Sequence, residues 1–239
     1  MYRLVTKTFT VIIFLISFEI NAQNSSLIFV DQSKSSPFSS ELKKEIENRT
    51  RWFLDVRNDS PKAILGNING HLIYGNTLGG GTWFSGANFS CKVLEEDATA
   101  IEKATYNNCK NKAVNQVIEK MQTVLKAGTE NETDIWGAIK LIGQAQSKNN
   151  LIISDMIHCT KKQCIANLKT EQEARKKGEI DVDVFLKNYN FDRNGLSNAK
   201  IWIYYPAELL AQNKKNIMEE YWKSFIWKLN NTIILSFLK

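Results

Sequence analysis

The chain has 239 residues, of which 43% are hydrophobic, 31 are Lys or Arg and 25 are Asp or Glu, giving a formal charge of +6. That apolar fraction supports a packed core and excludes an intrinsically disordered chain. Basic and acidic residues are interleaved, as in Lys43-Lys44-Glu45 and from Glu171 to Lys177, and no basic stripe carries spaced aromatics, so nucleic-acid binding is not expected.

Residues 1–22 read as a secretory signal, with Arg3 and Lys7 as the charged start, Phe9 to Phe18 as the apolar core and Ile20-Asn21-Ala22 as the cleavage site. Export would leave residues 23–239 as a single domain of about 217 residues with a charge of about +5. No integral membrane segment is expected after signal removal, because the closing run Thr232 to Leu238 is too short to cross a bilayer. The Lys, Asn and Ile bias looks like that of an AT-rich bacterial genome, and with the export signal it leads one to expect a periplasmic or secreted protein. Four cysteines, Cys91, Cys109, Cys159 and Cys164, suit disulfides in that compartment. The simplest pairing is local, Cys91 with Cys109 and Cys159 with Cys164, although three pairings are possible. With no Cys-x-x-Cys pair and two histidines, His71 and His158, a zinc site is not expected.

In chain order, Leu27 to Val30 reads as a buried strand running into Asp31-Gln32-Ser33-Lys34-Ser35. Leu42, Ile46 and Phe53 then form a helical stripe. Ala63 to Ile68 and His71 to Tyr74 flank Asn69-Gly70, a two-residue hairpin signal that predicts antiparallel neighbours. Gly79-Gly80-Gly81 lacks the Lys-Ser or Lys-Thr ending of a phosphate-binding loop and reads as a surface loop or ligand-facing lip. Ala98, Ile101, Cys109, Val117, Met121 and Val124 mark a long helix, bent or broken, and Ile135, Ala138, Ile139 and Ile142 another, opened by Thr133. Leu151 to Ser154 is a strand ending at Asp155, Ile201 to Tyr205 another, Met218 to Leu229 a helix and Thr232 to Leu238 a last strand. This alternation predicts an α/β fold, a doubly wound, mostly parallel six-stranded sheet with one antiparallel edge strand and helices on both faces. In such a sheet ligands bind at the carboxyl ends of the strands where strand order reverses, and Asp31 and Asp155 each stand at such an end. Asp181-Val182-Asp183 and Asp192-Arg193-Asn194-Gly195 have a faint calcium-loop character, but neither completes the twelve-residue pattern.

Asp31, Ser33 and Ser35 after a strand, Thr133 in Glu132-Thr133-Asp134-Ile135-Trp136-Gly137 and Asp155 in Ile153-Ser154-Asp155-Met156 together resemble the von Willebrand factor type A domain and its metal-ion-dependent adhesion site. The resemblance covers nearly all of residues 23–239 in element order. It implies that Ser33 and Ser35 bind a divalent cation directly, Thr133 directly or through water, and Asp31 and Asp155 through water or directly. A set of hydroxyls and carboxylates suits Mg²⁺, or Mn²⁺ in its place. It also implies that the cation holds an acidic side chain of a protein partner. Two departures stand out: Asn131-Glu132 precedes the threonine and Met156 follows the last aspartate, where many members have glycines. Glu132 or Asp134 would add negative charge beside the ion, and either would be placed to occupy its open position and block an outside ligand.

As bland alternatives, Asp31, Ser33 and Ser35 are cap formers, Thr133 is an N-cap, and Asp155 is a turn former or a partner of Lys161. An enzyme is not expected. A phosphohydrolase with Asp31 as nucleophile would need a carboxylate where Ser33 stands, and no Gly-x-Ser-x-Gly elbow occurs. The remaining alternatives are a metal-independent scaffold subunit of a cell-envelope assembly, contacting its neighbours through Thr82 to Phe89 or the C-terminal helix, and, behind it, a Mg²⁺-dependent phosphohydrolase.

Overall fold

The computed structural model describes residues 26–31, 40–56, 68–79, 82–87, 95, 97–124, 131–206 and 211–238. The strands are β1 (Ser26–Asp31), β2 (Ile68–Ile73), β3 (Thr82–Ala87), β4 (Asn149–Ile153), β5 (Lys200–Tyr204) and β6 (Ile234–Leu238). The helices are α1 (Ser40–Val56), α2 (Ala100–Val124), α3 (Ile135–Gln144), α4 (Glu171–Tyr189) and α5 (Gln212–Leu229), with a 3-10 turn at Arg193–Leu196. The sheet order is β3-β2-β1-β4-β5-β6. The strands from β2 to β6 in that order run parallel, and β3 lies antiparallel along β2.

Successive side chains of a strand point to opposite faces, and the central strands are apolar on both. Leu27 and Phe29 of β1, Ile152 of β4 and Ile201 and Ile203 of β5 join one core with α3, α4 and α5. Ile28, Val30, Leu151, Ile153 and Tyr204 join a second with Ile46 and Phe53 of α1 and Val117 and Ile118 of α2. A sheet covered on both faces needs such continuous apolar runs, and this is why Leu27-Ile28-Phe29-Val30 shows no polar alternation.

The hairpin at Asn69-Gly70 does not form. Both residues lie inside β2, level with Leu27 and Ile28 of β1. The glycine instead marks an irregularity in the pairing of β2 with β3, whose register shifts on either side of Gly70, a common use of glycine within a strand. The antiparallel partner of β2 is Thr82–Ala87, which follows the glycine run read above as a loop or lip. Residues 61–67, which carry most of the predicted strand from Ala63, lie outside the described residues. The helix from Ala98 is one continuous element, Ala100–Val124, and Ile101 is 78% exposed, so the inward stripe does not begin there. Asp181 lies within α4 and Asp192 caps the 3-10 turn by accepting from Asn194 N, so neither shapes a calcium loop.

Helices α4 and α5 run in the same direction, as two successive crossovers on one face must. Arg175 pairs with Glu220 at 2.8 Å, and Asp183 with Lys228, further along both helices, at 2.8 Å.

Candidate functional site

Strand order reverses between β1 and β4, and the carboxyl ends of these two neighbours carry the candidate residues. Val30 pairs with Ile153, which puts Asp31 level with Ser154. The Ser154 hydroxyl donates to Asp31 Oδ2 at 2.6 Å and its oxygen accepts from Met156 N at 2.9 Å. Asp155 Oδ1 accepts from Ile157 N at 2.9 Å, the short-range bond of an Asx turn. Both carboxylates are buried, Asp31 at 5% exposure and Asp155 at 1%. Asp155 also bears on Tyr205: burial pushes that hydroxyl well above its ordinary pKa, and the negative charges of Glu219 and Asp155 add to the rise.

Met156 has φ +58° and is fully buried. This left-handed conformation is costly for a side chain with a Cβ. Met156 adopts it all the same, a bend more readily taken by glycine. The bend is held from outside by Trp222, whose Nε1 donates to Met156 O at 2.9 Å.

Thr133 does not open α3. The N-cap is Asp134, whose Oδ1 accepts from Gly137 N at 2.8 Å and from the Tyr189 hydroxyl at 3.2 Å. A Cβ on Gly137 would overlap the Asp134 carboxylate, so this cap needs a glycine at its third helical position. Thr133, one residue earlier, is buried and held by two backbone bonds to Cys159, Thr133 N to Cys159 O at 2.8 Å and Cys159 N to Thr133 O at 2.9 Å. Cys159 is disulfide-bonded to Cys164. The bridge closes a hairpin in which Ile165 N donates to His158 O at 3.0 Å and Thr160 N to Gln163 O at 2.7 Å. Cys109 is also disulfide-bonded, while Cys91 lies outside the described residues. The end of β2 reaches the same edge: Asp134 N donates to Tyr74 O at 3.0 Å, and the Thr77 hydroxyl to Asp134 O at 2.9 Å.

The structure therefore brings Asp31 and Asp155 onto adjacent strand ends and ties Thr133 to the hairpin that follows Asp155. Ser33 and Ser35 lie outside the described residues. Ser154 joins the two aspartates, and the sequence marks it only faintly. Its signal is a lone hydroxyl between an apolar run and an aspartate, at a position level with Asp31. Asp134 is committed to its cap, and Glu132 Oε2 accepts from Lys161 N at 3.4 Å. Lys161 thus meets Glu132 by its backbone.

Among the described residues there is no group of three or more His, Cys, Asp or Glu side chains able to hold a metal. The oxygens at these two strand ends belong to two carboxylates and the Ser154 hydroxyl, an all-oxygen set that fits a hard cation and not a soft one.

His158, between the site and the helix layer, is 1% exposed and stacks on Trp136 with centroids 4.5 Å apart. Burial lowers its pKa to about 3, outweighing the Thr133 backbone, which pulls it up. Its Nδ1 lies 4.0 Å from Asp134 Oδ1, but a neutral ring makes no ion pair there. Burial raises the Asp134 pKa, while its bonds from Gly137, Tyr189 and Thr77 oppose the rise. The two groups act in opposite senses. Unfolded His158 takes up a proton below its ordinary pKa of 6.5 and the folded ring does not until about pH 3, so its contribution to stability is complete above pH 6.5 and is lost as pH falls toward 3. Asp134 holds its proton more tightly when folded, so its contribution fades as pH rises. Over the His158 window one proton is worth about 1.4 kcal/mol per pH unit. Urea unfolding of the protein and of His158→Phe at about pH 7.5 and about pH 5 should show a steeper acid loss in the parent, by about 2 kcal/mol. Equal losses would remove His158 from this account.

No family model matches the sequence, and no curated protein matches it. Among solved structures, proximal thread matrix protein 1 from the mussel byssus aligns over 85% of this chain and 47% of its own, at 12% identity and a TM-score of 0.38. This chain thus spans about half the length of that protein.

Proposed function

We propose that the carboxyl edge of the sheet is a divalent-cation site formed by Asp31, Ser33, Ser35, Thr133 and Asp155, and that the protein is an exported, von Willebrand factor type A-like binding module that holds an acidic side chain of a protein partner there. The observation that carries this reading is the Asp31 to Ser154 hydrogen bond, which joins the ends of β1 and β4 at the point where strand order reverses and sets Asp155 beside it. The strand order and the left-handed bend at Met156 support the same reading.

A bound Mg²⁺ would supply an oxygen-seeking centre able to take a partner's carboxylate as one ligand. The chain's own part is to hold the donors in place. Ser154 fixes one oxygen of Asp31 and Ile157 N fixes one of Asp155. The Cys159 strand fixes the backbone of Thr133, so its hydroxyl is carried on a rigid support. The module is a binder and not an enzyme.

Thermal unfolding with Mg²⁺, with Mn²⁺ and with chelator tests this. Metal at about a hundred times its dissociation constant should add about 2.7 kcal/mol, and the increment on adding metal should vanish in Asp31→Ala and Ser33→Ala. The increment is the readout because Asp31→Ala also removes the Ser154 bond. A parent that gains nothing at millimolar metal would favour the metal-independent scaffold, for which Trp227 on the last helix, 70% exposed, is the surface to examine.

A further inference from the structure

At one side of the sheet β6 is the last strand, and among the described residues none pairs with its outer edge. Ile234 N donates inward to Ala199 O at 2.9 Å, and Lys200 is level with Ile234. Backbone groups of alternate residues face alternate sides of a strand. Ile234, Ser236 and Leu238 therefore bond toward β5, while the N–H and C=O groups of Leu235 and Phe237 point outward. Soluble proteins usually blunt such an edge with Lys, Pro or an inward charge. The sequence Ile234-Leu235-Ser236-Phe237-Leu238 has none of these.

Both flanks of the edge are apolar. Ile234 is 53% exposed on the face of α1 and α2, where Leu238 also packs. Leu235 and Phe237 lie on the face of α5, with Phe237 stacked on Tyr205 at 5.9 Å. On that side Leu235, Ile233, Trp227 and Asn230 line an open groove of about 990 Å³. Nearby charges are already matched, Lys223 with Glu219 and Glu220, and Lys228 with Asp183.

We propose that β6 pairs antiparallel with β6 of a second copy of this chain about a two-fold axis at Ser236, making one continuous sheet through the dimer. The strand is complementary to itself in this register and direction. Leu235 stands opposite Phe237 of the second copy, twice by symmetry, and these are the residues whose outward N–H and C=O groups make hydrogen-bonded pairs. Ile234 stands opposite Leu238, an apolar pair on the other face, and the small Ser236 meets itself on the axis. A two-fold contact of this kind closes on itself and leaves no β6 edge exposed, whereas a head-to-tail use of the same edge would not close. Trp227 would lie at the rim of the interface.

Sedimentation of the purified protein across micromolar to submillimolar concentrations should show a dimer. Ile234→Lys, at an exposed position that leaves the β5 ladder intact, should make it a monomer. Leu235→Pro removes an outward N–H only and should act in the same way. Ser236→Cys gives a register-specific check, because a non-hydrogen-bonded antiparallel pair has Cα atoms about 4.5 Å apart, within disulfide range. With oxidised glutathione as the oxidant, this variant should cross-link into dimers far more than Ile234→Cys, whose partner would be Leu238. A protein that stays monomeric throughout, or a dimer untouched by Ile234→Lys with no preference for cross-linking at 236, would overturn the proposal.

Discussion

Replacing Asp181 by alanine is expected to cost about 3–5 kcal/mol of folding stability, the range for removing one partner of a buried charged network. Asp181 is fully buried within α4. Its Oδ1 is 2.6 Å from Lys177 Nζ, and its Oδ2 accepts from Gln163 Nε2 at 2.9 Å and the Tyr221 hydroxyl at 3.0 Å. One carboxylate thus joins α4, α5 and the disulfide-closed hairpin whose Cys159 holds Thr133. Alanine would leave the buried Tyr221 hydroxyl and the Gln163 amide without an acceptor, besides the lost charge pair. The cost comes from the stranded donors, so Asp181→Leu combined with Tyr221→Phe should recover part of it. Urea denaturation of the single and double variants measures both. A loss below about 1 kcal/mol for Asp181→Ala would show that the network is not holding the layers together.

Gly178→Ala should also destabilise, against the usual sign. An exposed helical glycine changed to alanine gains about 1 kcal/mol. At Gly178 the added methyl would overlap the Tyr221 carbonyl oxygen of α5 and sit 3.1 Å from Phe225 N. Both obstacles are backbone, so neither can swing away as a side chain would. Parting the two helices would disturb Phe225 and Trp222, which are fully buried. Overpacking of this kind costs about 1–3 kcal/mol. The midpoint of thermal unfolding should fall, and a rise would mean that the helices separate freely.

The α/β class was legible because the central strands are apolar on both faces and alternate with helical stripes; Leu27 to Val30, Leu151 to Ile153 and Ile135 to Ile142 all show it. The pairing at the β2 side was not. Asn-Gly between two β-prone runs is a local hairpin signal, but here the parallel contact with β1 keeps the chain extended and Gly70 serves as a bulge. Helix α4 hid Asp181 for a similar reason: Asp-Val-Asp looks like a loop locally, while the Lys177, Gln163 and Tyr221 partners come from as far as 40 residues away. At the site, the two aspartates were readable because strand ends are visible as the end of an apolar run. Thr133 reads as a cap because threonine and aspartate are both good N-caps; Asp134 takes the place because Gly137 lets its carboxylate approach the helix N-terminus. The Ser154 bond spans 123 residues and has no local sign.

The most direct test of the central claim is paramagnetic broadening of backbone amide signals by Mn²⁺ on the isotope-labelled protein. A cation held at the carboxyl edge should broaden the amides of Asp31, Thr133 and Asp155 at substoichiometric metal, leave those of Gly178 and Leu235 sharp, and be displaced by excess Mg²⁺. Broadening that is absent, or that falls elsewhere and leaves Asp31 and Asp155 sharp, would contradict a cation site at the meeting of β1 and β4.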